Sequence, residues 1–384
     1  MAGIYIHIPF CKQACHYCDF HFSTSLKKKD ELLLAMHREL QLRKHELGDE
    51  MVETIYFGGG TPSMLNIEEL NGILTTLDSN FRVIQNPEVT LEVNPDDLIF
   101  LQDKSKSVFE DYLEIGINRL SIGIQSFFEE DLKLMNRAHT SREAETCITE
   151  ARAHFEDVSI DLIYGIPGLS DERWLGNIEK ALSFDVPHIS SYALTVEPKT
   201  ALKKFIEKWL VSQIDDVQAQ RQFNQLVTEL EKENFVNYEI SNFGKPGFFS
   251  ENNTAYWKGK PYLGIGPSAH SYDGENRGWN VRNNSKYISA LSEDRLPIEY
   301  ETLSKIDRYN EFVMTGLRTI WGVPLKKVAI DFGQNFRMYL EKQAEKYIKA
   351  HLLYIDNDTL LTSKKGKFLV DGIAADLFML NLKE

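Results

Sequence analysis

The sequence predicts an α/β protein with a parallel sheet in its first half and a helix-rich α+β region behind it. Three observations lead there. Short β-branched runs alternate with helical patterns as far as Thr200. The alternation then gives way to a long helical stretch and a Gly/Pro-rich segment. With 384 residues, 42% hydrophobic and 26% charged, the chain can bury a core domain plus one or two smaller units.

The expected strands are Ile4 to Ile8, Thr54 to Phe57, Val89 to Val93, Arg119 to Ile124, Val158 to Tyr164 and His188 to Leu194. Between the first two, Leu33, Met36, Leu40 and Leu47 recur at helical spacing from Lys29 until Gly48. Asn66 with Glu69 reads as a capping box opening the next helix. Consecutive βα units of this kind form either a partial barrel or an open doubly wound sheet. Beyond Thr200, Val211 to Glu233 reads as a long helix, and the stretch holding Gly244, Pro246, Gly247, Gly259, Pro261, Gly264, Gly266 and Pro267 as structured turns covering something. Helices at Ile306 to Ile320 and Phe336 to Ala350, with a hairpin from Leu352 to Thr362 turning at Asp356-Asn357-Asp358, suit a small winged-helix-like unit. The expected division is 1–200, 201–295 and 296–384.

A formal charge of −14 disfavours nucleic acid and anionic membranes as partners, because either calls for a basic face. No apolar run reaches membrane-spanning length, and the opening residues lack a signal-peptide pattern, so a cytoplasmic protein without stable membrane insertion is expected.

Of four cysteines, Cys11, Cys15 and Cys18 lie in one short loop directly after the first strand, spaced C-x3-C-x2-C. Such a group is not a disulfide framework. Three thiolates can bind three irons of a 4Fe-4S cubane and leave the fourth iron open for a small ligand. Zinc would need a fourth ligand such as His16 or His21, and this spacing is not among its usual ones. Cys147, inside the helical run from Glu143 to Arg152, is expected to be a buried core residue.

That spacing after a first strand resembles the radical S-adenosylmethionine (SAM) superfamily. The chain is more closely similar to the oxygen-independent coproporphyrinogen III oxidase group, and within it to the HemW-like subgroup regarded as haem chaperones. The matching segments are Tyr5-Ile-His-Ile-Pro-Phe-Cys11, Tyr56-Phe-Gly-Gly-Gly-Thr-Pro62, Glu92-Val-Asn-Pro95, Ser121-Ile-Gly-Ile-Gln-Ser126, Asp161-Leu-Ile-Tyr-Gly-Ile-Pro167 and Tyr262-Leu-Gly-Ile-Gly-Pro-Ser-Ala-His270. The resemblance implies a partial (β/α)6 barrel holding a 4Fe-4S cluster on Cys11, Cys15 and Cys18, with SAM bound at the strand ends.

Gly59, Gly60 and Thr61 would present backbone amides to the methionine part of SAM, although a tight turn uses glycine equally. By resemblance, Glu92, Gln125 and Asp161 also meet SAM, and Arg137 meets its carboxylate, a task suited to a bidentate guanidinium. Tyr5 and Tyr17 match aromatic positions lining the cluster and the adenosyl group, where plain core packing is the rival explanation.

Two departures bear on function. The decarboxylating enzymes carry a further cysteine where this chain has Phe20, which favours haem handling over conversion of coproporphyrinogen III to protoporphyrinogen IX. The resemblance implies that an electron from the reduced cluster can cleave SAM to methionine and a 5′-deoxyadenosyl radical, a step the oxidase reading requires and the chaperone reading makes weak or regulatory. The subgroup's H-N-x-x-Y-W motif reads Asn252-Asn253-Thr254-Ala255-Tyr256-Trp257, and an amide is a poor ligand for haem iron, leaving Tyr256, His270 or another histidine as candidates. The implied partners are haem or a porphyrin, recipient haem proteins, and an electron donor such as flavodoxin or ferredoxin.

Overall fold

The computed structural model describes residues 1–99 and 107–380. Six parallel strands run in chain order: β1 (Ala2–Ile8), β2 (Val52–Gly59), β3 (Val83–Val93), β4 (Arg119–Gln125), β5 (Asp157–Tyr164) and β6 (His188–Ala193). Each expected strand is present, longer or shorter by a few residues. Six more continue the sheet: β7 (Val236–Glu239), β8 (Asn242–Gly244), β9 (Tyr262–Ile265), β10 (His270–Tyr272), β11 (Asn276–Asn280) and β12 (Ile298–Thr302). β9 pairs in parallel with β1, β8 pairs antiparallel with β6, and the order β12-β11-β10-β9-β1-β2-β3-β4-β5-β6-β8-β7 leaves both edges open.

The parallel strands alternate in a way that buried parallel strands normally do not. Ile4, Ile6 and Ile8 of β1, Leu120, Ile122 and Ile124 of β4, and Val158, Ile160 and Leu162 of β5 enter the hydrophobic core. Their neighbours are polar or small: Gly3, Tyr5 and His7; Ser121, Gly123 and Gln125; Ser159 and Asp161. Since successive side chains take opposite faces, one face makes the core with the helices and the other lines a hollow.

Local signals place the helices. Asn66 and Glu69 form the expected reciprocal cap of the helix Ile67–Asn80. The first helix ends at Leu42 rather than Leu47, and Arg43, at its C-cap, turns its guanidinium inward. That side chain is fully buried, pairs with Glu39 at 2.9 Å, and donates to the carbonyl of Gly264 at 2.8 Å and the hydroxyl of Ser271 at 3.0 Å. Glu39 in turn accepts from the amide of Gly266, the side-chain amide of Asn280 and the hydroxyl of Tyr287. One buried ion pair thus ties the first helix to the whole β9–β11 extension.

The C-terminal unit packs helices Lys305–Leu317, Leu325–Asp331, Gln334–Lys349 and Val370–Asp376 against a small sheet of β13 (Val323–Pro324), β14 (Leu353–Asp356) and β15 (Thr359–Thr362). Tyr309, Val313, Leu317, Leu340, Leu353 and Leu360 give it its own core. The expected boundary at 296 falls inside sheet territory, since Ile298–Thr302 still pairs with β11. No helix among the described residues is long and apolar enough to cross a membrane.

Candidate functional site

Two adjoining cavities open on the polar face of the sheet. The smaller, about 550 Å³, is lined by Cys11, Cys15, Cys18, Tyr17, Gly59, Gly60, Thr61, Glu92, Gln125, Arg137 and Asp161. All these expected residues are therefore brought together, most at the carboxyl ends of the parallel strands, where such folds place their sites. Tyr5 is the exception. It lines the larger cavity, of about 750 Å³, and its hydroxyl lies 3.2 Å from Nδ1 of His7. The placement follows from alternation: Tyr5 points to the sheet's hollow several residues before the cysteine loop begins.

The three motif cysteines are free and half-buried on one cavity wall. Burial pushes the Cys11 thiol up to about 11 and raises that of Cys18, while the Arg137 guanidinium opposes both shifts. The histidines that zinc would need are engaged elsewhere: His16 Nδ1 lies 2.8 Å from the carbonyl of Leu134, and His21 Nε2 lies 2.6 Å from Oδ1 of Asn284. Among the described residues no group of three or more His, Cys, Asp or Glu could hold a single metal ion. Three free thiols on one wall, without a fourth protein ligand, suit an iron–sulfur cubane with one open iron.

Arg137 is held rigidly. Its Nη2 donates to Oδ1 of Asn94 at 2.6 Å and to the carbonyl of Gly123 at 2.9 Å, and Nη1 lies 3.5 Å from Sγ of Cys15. Its guanidinium therefore sets a fixed positive charge on the cavity wall, which suits an anionic ligand. Asn94 also donates to Thr61 Oγ1 at 2.9 Å, linking the ends of β2, β3 and the Arg137 loop. Asn94 had no assigned role in the sequence reading. Its place in Glu92-Val-Asn-Pro95, one strand period beyond Glu92, was the available signal.

Glu92 accepts from the hydroxyl of Tyr56 at 2.8 Å and the amide of Gly59 at 3.2 Å. Burial pushes its carboxyl up to about 7 against those bonds, and Asp161 adds to the rise. Asp161 goes up to about 6 by burial, held back by the hydroxyls of Ser190 and Ser121. These two acids sit in a desolvated hollow that a cationic ligand would relieve. Gly59 is required by its geometry: φ is +108°, and a Cβ there would lie 2.4 Å from Nδ1 of His7. Gln125 takes a left-handed φ of 67°, a strained conformation for a non-glycine residue and one that clusters at ligand sites.

The larger cavity mixes distant segments. Tyr5 and His7 come from β1, Tyr56 from β2, Phe20 and His21 from the cysteine loop, Asn252, Tyr256 and Trp257 from a short helix, and Tyr262 and His270 from the extension. Glu88 seats that helix, Glu251–Trp257, by accepting from the amides of Glu251 at 2.7 Å and Asn252 at 2.9 Å. Arg318 of the C-terminal unit also lines the cavity, with its guanidinium 5.1 Å from the ring centre of Trp257 and its Nε buried without a partner. Asp19, Phe20, Gly59, Glu92 and Tyr192 border both cavities. Phe20, 68% exposed, is thus part of the partition between them and not of the thiol set.

Residues 5–181 match the radical SAM superfamily and residues 303–369 match the HemN C-terminal domain. Over 382 residues the chain is 34% identical to a Mycobacterium tuberculosis protein named heme chaperone HemW, covering 98% of this chain and 94% of that one. A protein of the same name from Bacillus subtilis is 32% identical over 377 residues, covering 96% and 97%. Coproporphyrinogen III oxidase (HemN) from Escherichia coli, described as a radical SAM enzyme, aligns with a TM-score of 0.84 over 98% of this chain and 90% of its own, at 22% identity. At that identity the likeness is one of fold.

Proposed function

The chain belongs to the HemW-like group of the radical SAM superfamily, and on that premise we propose that it is a haem chaperone of the cytoplasm, binding haem in the larger cavity and delivering it to recipient haem proteins. The superfamily implies a 4Fe-4S cluster and SAM. Cys11, Cys15 and Cys18 hold the cluster in this reading. Gly59, Gly60, Thr61, Gln125 and Arg137 hold the methionine end of SAM, Glu92 and Asp161 complement its positive charge, and Tyr17 flanks the adenosyl group. With an electron donor such as a flavodoxin or ferredoxin, the bound groups supply one-electron reductive cleavage of SAM. The protein's own part is to orient SAM, exclude water and hold two protonatable acids beside it.

One observation carries the haem assignment: a cavity of about 750 Å³, walled by Tyr5, Tyr56, Tyr256, Trp257 and Tyr262, shares a partition with the cluster cavity. Its size lies within the range of roughly 300–1,000 Å³ usual for small-molecule and cofactor sites. Phe20 in the partition removes the extra thiol of the decarboxylating relatives. The test is anaerobic reconstitution followed by two incubations, one with haemin and an apo-haem protein, the other with coproporphyrinogen III and SAM. Stoichiometric haemin binding, transfer to the acceptor and no vinyl product are expected. Turnover of the porphyrinogen, or failure to bind haemin, would sink this function.

A further inference from the structure

We propose that His270 is the axial ligand by which this chain holds haem iron. The inference rests on the haem reading above and narrows it to one side chain.

The larger cavity offers three imidazoles and several phenols, and all but one of the imidazoles are hydrogen-bonded. His7 is buried with both ring nitrogens engaged, Nδ1 3.2 Å from the hydroxyl of Tyr5 and Nε2 2.9 Å from the carbonyl of His21. Gly59 is backed onto the same ring, leaving no approach for iron from that side. The His21 ring stacks on His7 at 6.3 Å, and its Nε2 is bound to Asn284. Tyr262 donates its hydroxyl to that of Tyr256 at 3.3 Å, and Tyr5 is taken by His7. Asn252 accepts from the hydroxyl of Thr54 at 3.2 Å and offers iron only an amide.

His270 differs from all of these. It lines the cavity from β10 with its ring open to solvent, and neither of its ring nitrogens has a hydrogen-bond partner among the described residues. Its ring leans on Trp279 at 6.3 Å, and its backbone is fixed by pairing with Trp279 in β11. Gly264 fixes it from the other side: a Cβ there would lie 2.0 Å from the carbonyl oxygen of His270, so only glycine lets β9 and β10 lie this close. A rigid strand thus presents an imidazole with free nitrogen lone-pair capacity to a cavity also lined by Arg282, which spends one N–H on the carbonyl of Asp19, and Arg318, which pairs with Asp371. Guanidinium groups suit the two propionates of haem.

A single protein ligand also explains how cargo would leave. The recipient's own imidazole or thiolate takes the open axial position, the iron–nitrogen bond to His270 breaks, and the haem departs with its iron oxidation state unchanged. His270 keeps its electron pair and returns to a neutral imidazole.

The experiment is haemin titration of the full, cluster-reconstituted protein, followed by its Soret band and by electron paramagnetic resonance. His270→Gly should weaken haemin binding by roughly tenfold or more and change the spin-state pattern, and imidazole added to the solution should restore the wild-type spectrum. His270→Met should bind haemin with a thioether-type spectrum. Retention of the cluster absorption in both variants checks that they fold. The assignment is overturned if His270→Gly keeps the wild-type affinity and spectrum, or if the wild type shows a phenolate spectrum that Tyr256→Phe removes. Either result leaves the haem chaperone reading standing, whereas a wild type that binds no haemin brings down both.

Discussion

The two cavities share a wall but are built on opposite plans. In the cluster cavity the ligand-facing groups are fixed before anything binds: Arg137 by Asn94 and Gly123, Glu92 by Tyr56 and Gly59. In the larger cavity Tyr5 and His7 are fixed, but the aromatic rim is open, with Tyr256 52% exposed and the shared Phe20 68% exposed. Fixed groups suit a reagent whose reacting atoms must be held in place. Open aromatic walls suit a cargo that has to enter and leave. The comparison teaches that the chemistry is preorganised by strand ends and the cysteine loop, while the cargo side adds a short helix and the β9–β11 extension to the faces of β1 and β2.

The sharpest way to break that comparison is to remove the cluster. Cys15→Ala should abolish the visible charge-transfer absorption of the reconstituted protein, because two thiolates leave two irons of the cubane without protein ligands. Normal reconstitution would end the cluster assignment. Haemin binding should survive in this variant if the cavities are separable, and its loss would show that they are one site.

Next in size is the tie between the first helix and the extension. Glu39→Ala takes the fully buried carboxylate from Arg43, leaving Glu46 as its counter-charge, and strips partners from Gly266, Asn280 and Tyr287, a change expected to cost about 3–5 kcal/mol in urea unfolding. The larger cavity, which depends on β9 and β10, should lose haemin binding before the cluster cavity loses its absorption. Equal sensitivity of the two would contradict the division drawn here.

Arg137→Ala comes third. Losing a charge-assisted contact worth about 1.5–3 kcal/mol should weaken SAM binding by about ten- to a hundredfold in calorimetry, with the cluster absorption retained. Unchanged affinity would remove Arg137 from the SAM site.

The same contrast explains what could be read from the sequence. β1 to β6 are legible because each is a contiguous apolar or alternating run, and the cysteine loop because its spacing is local. The capping box at Asn66 and Glu69 is likewise complete within a few residues. β7 to β12 are hard to read because each spans only 3–5 residues and the group joins the parallel sheet through strands far away in the chain, β9 through β1 and β8 through β6. Glu88 carries no local sign that it seats the helix at Glu251, and nothing near Glu39 and Arg43 in the sequence shows that β9 and β10 bury them. Tyr5 fell on the wrong side of the partition because proximity in sequence to Cys11 does not settle which cavity a strand residue faces.

The smallest effect discriminates most finely, because it follows protons on the cluster side alone. Glu92 has a folded-state value of about 7 against an ordinary 4.5. Between those two pH values the folded protein keeps a proton that the unfolded chain has lost, so this group's contribution to stability falls as pH rises through the window. Glu92→Gln removes the ionisation and should therefore gain stability relative to wild type as pH rises from about 5 to 8, measured by urea unfolding of the SAM-free protein. SAM reverses the preference, since its sulfonium favours the carboxylate: affinity in the wild type should climb through about pH 7, and in Glu92→Gln the climb should flatten to the smaller rise left by Asp161 near 6. Haemin affinity should show neither change. A matching pH response in haemin binding would mean that Glu92, which borders both cavities, serves the cargo as well as the reagent.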